Sequence, residues 1–142
     1  MATTSTAPQL AAVALLGLAG LHVAWGLGST WPLADHAAFA DAVVGSREVP
    51  SPVACFAVAS ALGTASALVA GRPRRATTLR RLGVGGVVAT LALRGALGVA
   101  GHTDLVSPGS ASPRFRALDR RLYGPLCLAL AALSGPAAVR RS

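Results

Sequence analysis

Arg94 is the only formally charged residue between Leu82 and Thr103, in a stretch that is otherwise apolar. A guanidinium inside such a segment costs about 3 kcal/mol on membrane-insertion scales, so it requires a partner. Asp119 is the natural counter-ion, and the Tyr123 hydroxyl is a second candidate acceptor. Arg94 and its partner then have two interpretations. They form an internal ion pair that fixes helix register, or they are part of a pocket for a polar or anionic ligand.

Depth and helical spacing bring further polar side chains into the hypothesis. At 1.5 Å per helical residue, Arg94 and His22 lie roughly 9–10 Å from the outer ends of their segments, so they are expected at one level. His22 and Trp25 are three residues apart on the first apolar segment and share a face. Cys127 follows Tyr123 by four residues and shares a face with it in the same way. The predicted polar cluster comprises His22, Trp25, Arg94, Asp119, Tyr123 and Cys127. For His22 the alternative is a histidine whose hydrogen bonds are satisfied inside the bundle.

The two cysteines, Cys55 and Cys127, are a candidate thiol pair. At 1.5 Å per helical residue, both lie roughly 7–8 Å from the same end of their segments, so a disulfide or redox pair is one hypothesis. The other is that each thiol is a small buried hydrophobic group. The sequence has no Cys-x-x-Cys motif and no metal-ligand spacing, so we expect no metal site, and no motif implies a cofactor.

The composition is that of a membrane protein. Hydrophobic residues make up 53% of the 142 residues and charged residues only 13%, against roughly 25% in soluble domains. The net charge of +8 comes from 13 basic residues, all of them arginine, which cluster between the apolar stretches. Because no aromatic or RNA-binding motif is interleaved with them, we expect the lipid bilayer as partner, and no nucleic acid.

Four segments have the ~20-residue length that crosses a bilayer as a helix. They are approximately residues 9–28, 50–71, 82–101 and 122–139. Between the first two, apolar residues recur at helical spacing over 33–44, which predicts a short amphipathic helix in the first outer loop. The predicted fold is therefore all-α: a four-transmembrane-helix bundle that forms a single integral membrane domain over 1–142.

The distribution of arginine predicts the orientation. One side would carry seven: Arg72, Arg74, Arg75, Arg80, Arg81, Arg140 and Arg141. The other would carry five: Arg47, Arg114, Arg116, Arg120 and Arg121. We therefore expect both termini in the cytoplasm. Arginine without lysine, together with abundant alanine and glycine, is typical of GC-rich bacterial genomes, so the predicted location is the bacterial cytoplasmic membrane.

Small residues recur every four positions on the second segment. They are Ala59, Gly63, Ala67 and Gly71. Such a ridge allows helix backbones to approach closely in lipid. We expect it to serve packing within the chain or between chains, so that an oligomer could form through this surface.

Three stretches carry a family pattern. They are His22-x-x-Trp25-Gly26-x-Gly28-x-x-Trp31-Pro32, then Arg94-Gly95, and last Arg114-Phe115-x-x-Leu118-Asp119-x-x-x-Tyr123-x-Pro125-Leu126-Cys127-Leu128. Together they resemble the DUF3995 family of small bacterial membrane proteins, over about residues 10–132. The resemblance implies four membrane spans and no established activity.

The functional prediction follows from what the sequence contains and lacks. We expect a non-enzymatic membrane protein that binds a small polar or anionic ligand, a lipid or quinone-like ligand, or a partner at an outer-leaflet site around Arg94. The sequence has no nucleophile–base pair, metal set or cofactor motif. The alternative is a small membrane enzyme or redox protein, linked to quinones or thiols, that uses the same polar cluster.

Overall fold

Helices form the whole framework of the computed structural model, which describes residues 6–74, 77–109 and 112–139. In chain order they are α1 (Thr6–Gly26), α2 (His36–Phe39) followed by a π-helical turn (Ala40–Val44), α3 (Pro52–Val69), α4 (Thr77–Ala100), α5 (Thr103–Val106), α6 (Pro113–Leu118) followed by a π-helical turn (Asp119–Tyr123), and α7 (Gly124–Val139). Four helices are long and apolar enough to cross a membrane: α1, α3, α4 and the continuous helix Pro113–Val139. The predicted all-α, four-span architecture is confirmed.

The fourth span differs most from its predicted bounds. It was expected to begin near residue 122, but the helix starts nine residues earlier, at Pro113. Ser112 caps it by accepting a hydrogen bond from the Phe115 N–H at 3.4 Å, and proline suits the first helical position. Four arginines in the first three turns hide this start from a hydropathy reading, although they do not oppose helix formation.

The short helix in the first loop is present but begins three residues later than its pattern predicted. Asp35 supplies the cap, since its carboxylate accepts a hydrogen bond from the Ala38 N–H at 2.8 Å. The helix then closes through a π-helical turn that ends at Gly45, whose N–H donates to the Ala40 carbonyl five residues back.

The four long helices form a bundle of two hairpins. Helix α1 packs mainly against α3, and α4 mainly against α7; α1 also contacts α7, whereas α3 and α4 meet less extensively. Helices α1 and α4 therefore lie diagonally across the bundle. Leu15 and Val84 are fully buried at the centre, within a cluster of alanine, valine and leucine side chains.

The small-residue ridge on α3 is divided between two environments. Ala59 is buried, but a Cβ atom added at Gly63 would meet nothing within 4 Å. Helix α3 contacts α1 through a different row of side chains, which includes Ser66. The buried Ser66 hydroxyl donates to the Ala12 carbonyl at 2.6 Å. The oligomer expected through the ridge stays a prediction.

The two ends of the bundle are unlike. We call the end that carries residues 27–51 and 101–109 the loop-rich end, and the opposite one the terminal end. At the loop-rich end the two loops dock on each other: the Ser112 N–H donates to the Gly45 carbonyl at 3.0 Å, and the Ser112 hydroxyl donates to the Asp41 carboxylate. Arg75, Arg140 and Arg141, which entered the orientation prediction, lie outside the described residues.

Candidate functional site

Arg94 and Asp119 form the ion pair expected from the sequence. Arg94 Nη2 lies 2.6 Å from Asp119 Oδ1, and the side chain of Asp119 is completely buried while that of Arg94 keeps 24% of its exposure. The second carboxylate oxygen, Oδ2, accepts a hydrogen bond from the buried Thr103 hydroxyl at 2.8 Å. Arg94 Nη1 has no hydrogen-bond partner among the described residues. The pair thus ties α4 to the start of the fourth span.

Glycines make room for this pair. A Cβ atom at position 98 would lie 2.9 Å from Arg94 Nη1 and 3.0 Å from Asp119 Oδ1. One turn earlier, a Cβ atom at Gly95 would lie 2.7 Å from the Gly124 carbonyl oxygen. The separation at Gly95 is shorter than real Cβ contacts allow, so α4 and α7 meet backbone to backbone here. The ion pair lies just beyond this crossing.

The π-helical turn explains why Tyr123 does not join Asp119. The Gly124 N–H donates to the Asp119 carbonyl, five residues back, so this turn holds one residue more than an α-helical turn. Residues four apart across it do not share a face. The Tyr123 hydroxyl donates instead to the Ala42 carbonyl at 2.7 Å, and its ring packs on Phe115 with centroids 5.7 Å apart. The expectation that it serves Arg94 as an acceptor is not met.

His22 and Trp25 belong to a separate group on α1, diagonally across the bundle from α4. His22 Nδ1 donates to the Leu18 carbonyl at 2.8 Å, one turn earlier on the same helix. Its ring meets the edge of Trp25 at a centroid distance of 4.8 Å, and Trp25 in turn packs on Phe39 at 5.1 Å. Trp25 Nε1 donates to the Trp31 carbonyl at 2.8 Å. The predicted single polar cluster is therefore two clusters.

A cavity of about 300 Å³ lies beside this second group. His22, Trp25 and Cys55 line it from α1 and α3, and Ser107 and Phe115 close it from the second loop and α6. Deeper in the bundle, a cavity of about 370 Å³ lies among α1, α3 and α4. Its lining includes Leu15, Leu62, Gly86, Thr90 and Leu91. Val58 lines both cavities, so they adjoin at that residue.

Both cysteines are free thiols, so the hypothesised disulfide is not formed. Cys55 is buried on α3 against α1, where its Cβ atom would come within 3.3 Å of a side chain placed at Gly26. Cys127 is half-buried on α7. Within residues 6–74, 77–109 and 112–139, no group of three His, Cys, Asp or Glu side chains is arranged to hold a metal ion.

The family comparison covers the helices that hold both clusters. The model of DUF3995, a protein of unknown function, matches residues 15–134. The chain belongs to DUF3995. Every residue of the Arg94 pair and of the His22 group falls inside the matched part of this DUF3995 protein. No curated protein and no solved structure matches the chain.

Sequence reasoning missed two parts of the Arg94 site. Thr103 was taken only as the end of an apolar stretch, although it is the first hydroxyl after the segment that carries Arg94. The π-helical turn at Asp119 has no sequence signature, because only packing reveals which residue of the turn is extra.

Proposed function

We propose that this DUF3995 protein binds a membrane amphiphile whose chain lies between α3 and α4 and whose uncharged polar head lies at the loop-rich end. The observation that carries the proposal is the pair of adjoining cavities beside Val58, of about 300 and 370 Å³. Each is near the lower end of the ~300–1,000 Å³ range of ligand pockets.

The deeper cavity suits a hydrocarbon chain. It is lined by apolar side chains of three spans, apart from the Thr90 hydroxyl. Ala61, Gly86 and Thr90 are exposed positions of its wall, so the cavity is open at the protein surface between α3 and α4. These are also the neighbouring helices that pack least extensively. A chain entering sideways from the bilayer would replace lipid contacts with protein contacts and expose no polar group.

The upper cavity suits a neutral, hydrogen-bonding head group. Its lining carries the His22 imidazole, the Ser107 hydroxyl and the Cys55 thiol, and the described residues contribute no arginine, aspartate or glutamate to it. Because His22 Nδ1 is already bound to the Leu18 carbonyl, Nε2 is the ring nitrogen that remains for a ligand. The charge of Arg94 is neutralised by Asp119 and does not line this cavity. A glycerol hydroxyl or a quinone ring meets these requirements.

A tryptophan-quenching experiment tests the proposal. Replacing the exposed Trp31 by Phe leaves Trp25, in the cavity wall, as the single tryptophan. The probes are a monoacylglycerol brominated next to its ester and decylubiquinone, each titrated into the detergent-solubilised full chain. We expect saturable quenching of Trp25, and the more effective probe identifies the class of head group.

The matched variants are Gly86→Leu and Gly85→Leu. Both positions leave a new side chain in open space, but only Gly86 lines the deeper cavity. Both changes also replace glycine by a good helix former on the same helix. We expect about tenfold weaker quenching affinity for Gly86→Leu and no change for Gly85→Leu. Equal behaviour of the two variants, or non-saturable quenching by both probes, would overturn the proposal.

The same proposal includes an orientation in a bacterial cytoplasmic membrane. The arginine distribution supports both termini in the cytoplasm and the loop-rich end outside. An alkaline phosphatase fused after the last residue should then be inactive. An active fusion would show that the termini and the loop-rich end have the opposite orientation.

A further inference from the structure

A third cavity, of about 330 Å³, lies at the loop-rich end on the far side of the Arg94 pair. It is lined by Gly101, Thr103, Arg116, Ala117, Arg120 and Arg121. None of these residues lines the two cavities beside Val58. Gly101, which directly follows α4, and Thr103 of α5 form one wall, and α6 with its π-helical turn forms the other.

The charge in this cavity is unbalanced. Arg116 lies 3.2 Å from the Asp104 carboxylate, so one arginine is offset. For Arg120 and Arg121, no carboxylate of the described residues lies within ion-pairing distance. The nearest carboxylate in sequence, Asp119, is fully buried and already bound to Arg94 and Thr103. Within the described part of the chain, the Arg120 and Arg121 guanidinium groups therefore have no carboxylate partner.

The backbone gathers these side chains on one wall. Arg116 and Ala117 lie on α6, and Arg120 and Arg121 lie in the π-helical turn that follows it, so all four line the cavity from one continuous helical segment. Gly101 lies on the opposite wall, where an added side chain would meet the end of the flexible Arg120 side chain. Thr103 also lines the cavity, and its buried hydroxyl is held in place by the hydrogen bond that it donates to Asp119.

We propose that this cavity binds a phosphate-type oxyanion through Arg120 and Arg121. A planar guanidinium pairs with a phosphate through two parallel N–H···O bonds, which a lone water molecule cannot replace. The rule that concentrates arginine on the cytoplasmic side does not account for this cluster, because the proposed orientation puts the loop-rich end outside. The oxyanion could belong to the head group of a phospholipid in the adjacent leaflet or to a free phosphate.

The test uses the full chain and a pair of double variants with equal net charge. Arg120→Gln/Arg121→Gln removes the two unbalanced arginines. Arg47→Gln/Arg114→Gln removes two charges from the same end of the molecule, outside the cavity. In detergent, inorganic phosphate is titrated at constant ionic strength and the melting temperature is followed. In vesicles, association of spin-labelled phosphatidylglycerol is compared with that of spin-labelled phosphatidylcholine.

Each outcome decides the proposal. Stabilisation by inorganic phosphate in the parent and the control, with affinity about tenfold weaker in Arg120→Gln/Arg121→Gln, supports a site for free oxyanions. Selective association of phosphatidylglycerol that only this variant loses, without a response to inorganic phosphate, supports a lipid head group. If neither probe binds, or if the control loses binding equally, the site is refuted and the charge acts only as a diffuse field.

Discussion

The two helix hairpins are held together by different chemistry. The α4–α7 contact brings glycine backbones together at Gly95 and Gly124 and adds the ion pair between Arg94 and Asp119. The α1–α3 contact packs alanine, valine and leucine side chains and adds one hydrogen bond, from Ser66 to the α1 backbone. In lipid, no hydrophobic effect distinguishes one apolar contact from another, so the polar link decides the helix register.

This difference sets the ion pair apart from the proposed amphiphile site. Sliding α4 against α7 by one turn would leave two opposite charges unpaired, so that hairpin has one register. The α1–α3 hairpin carries no such penalty, and the two cavities proposed to hold an amphiphile lie along it. Arg94, the costly charge identified in the sequence, thus fixes the register of α4 against the fourth span. The neutral cavity lies along the other hairpin, α1 and α3.

The largest effect should come from breaking the ion pair. Asp119→Leu leaves the Arg94 guanidinium without its anion, and we expect the free energy of unfolding in detergent to fall by about 3 kcal/mol. This is the low end of the range for buried pairs because Arg94 keeps 24% exposure. The double variant Arg94→Met/Asp119→Leu should recover most of the loss. A double variant as unstable as Asp119→Leu would contradict a structural role for the pair.

The next effect tests the backbone contact. Gly95→Ala would force a methyl group against the Gly124 carbonyl, so α4 and α7 must separate, and we expect a loss of about 1–3 kcal/mol. Gly85→Ala is the control, since its added methyl group meets nothing within 4 Å and gains the same helix propensity. Equal stability of the two variants in a thermal melt would show that the close approach is not essential.

A smaller effect is expected in the other hairpin. Ser66→Ala removes the hydrogen bond to the Ala12 carbonyl, which should cost about 1 kcal/mol, the scale of interhelical hydrogen bonds in membranes. Ser60→Ala provides the comparison, because the Ser60 hydroxyl donates to Phe56 of its own helix. If Ser60→Ala is the more destabilising change when unfolding is measured by denaturant titration, the Ser66 link is not what joins α1 to α3.

The smallest effect should be a gain. Ser134 is completely buried, and its hydroxyl has no hydrogen-bond partner among the described residues. Ser134→Ala removes an unsatisfied polar group at nearly constant volume, so we expect the stability to stay equal or to rise by about 1 kcal/mol. A clear drop in melting temperature would mean that the hydroxyl is bonded in the native protein.

Individual residues show how much of the candidate site could be predicted from the sequence. Arg94 and Asp119 could be paired in advance because an unpaired charge in an apolar helix is too costly to leave. Tyr123 was assigned to the wrong partner because a π-helical turn changes which residues share a face. His22 and Trp25 were grouped with Arg94 by equal depth, but depth does not say which helices are neighbours, and α1 lies diagonally from α4.

By itself, the sequence determined the class of protein, the four spans and the existence of a charge that must be neutralised. These follow from local composition and from the cost of polar groups in lipid, which do not depend on the arrangement of the helices. Only the tertiary structure decided three further features. These are the order of the helices around the bundle, the glycine contact at Gly95, and the separation of the Arg94–Asp119 ion pair from the neutral cavity. Apolar helices present nearly equivalent faces to one another, so their neighbours depend on packing of the whole bundle.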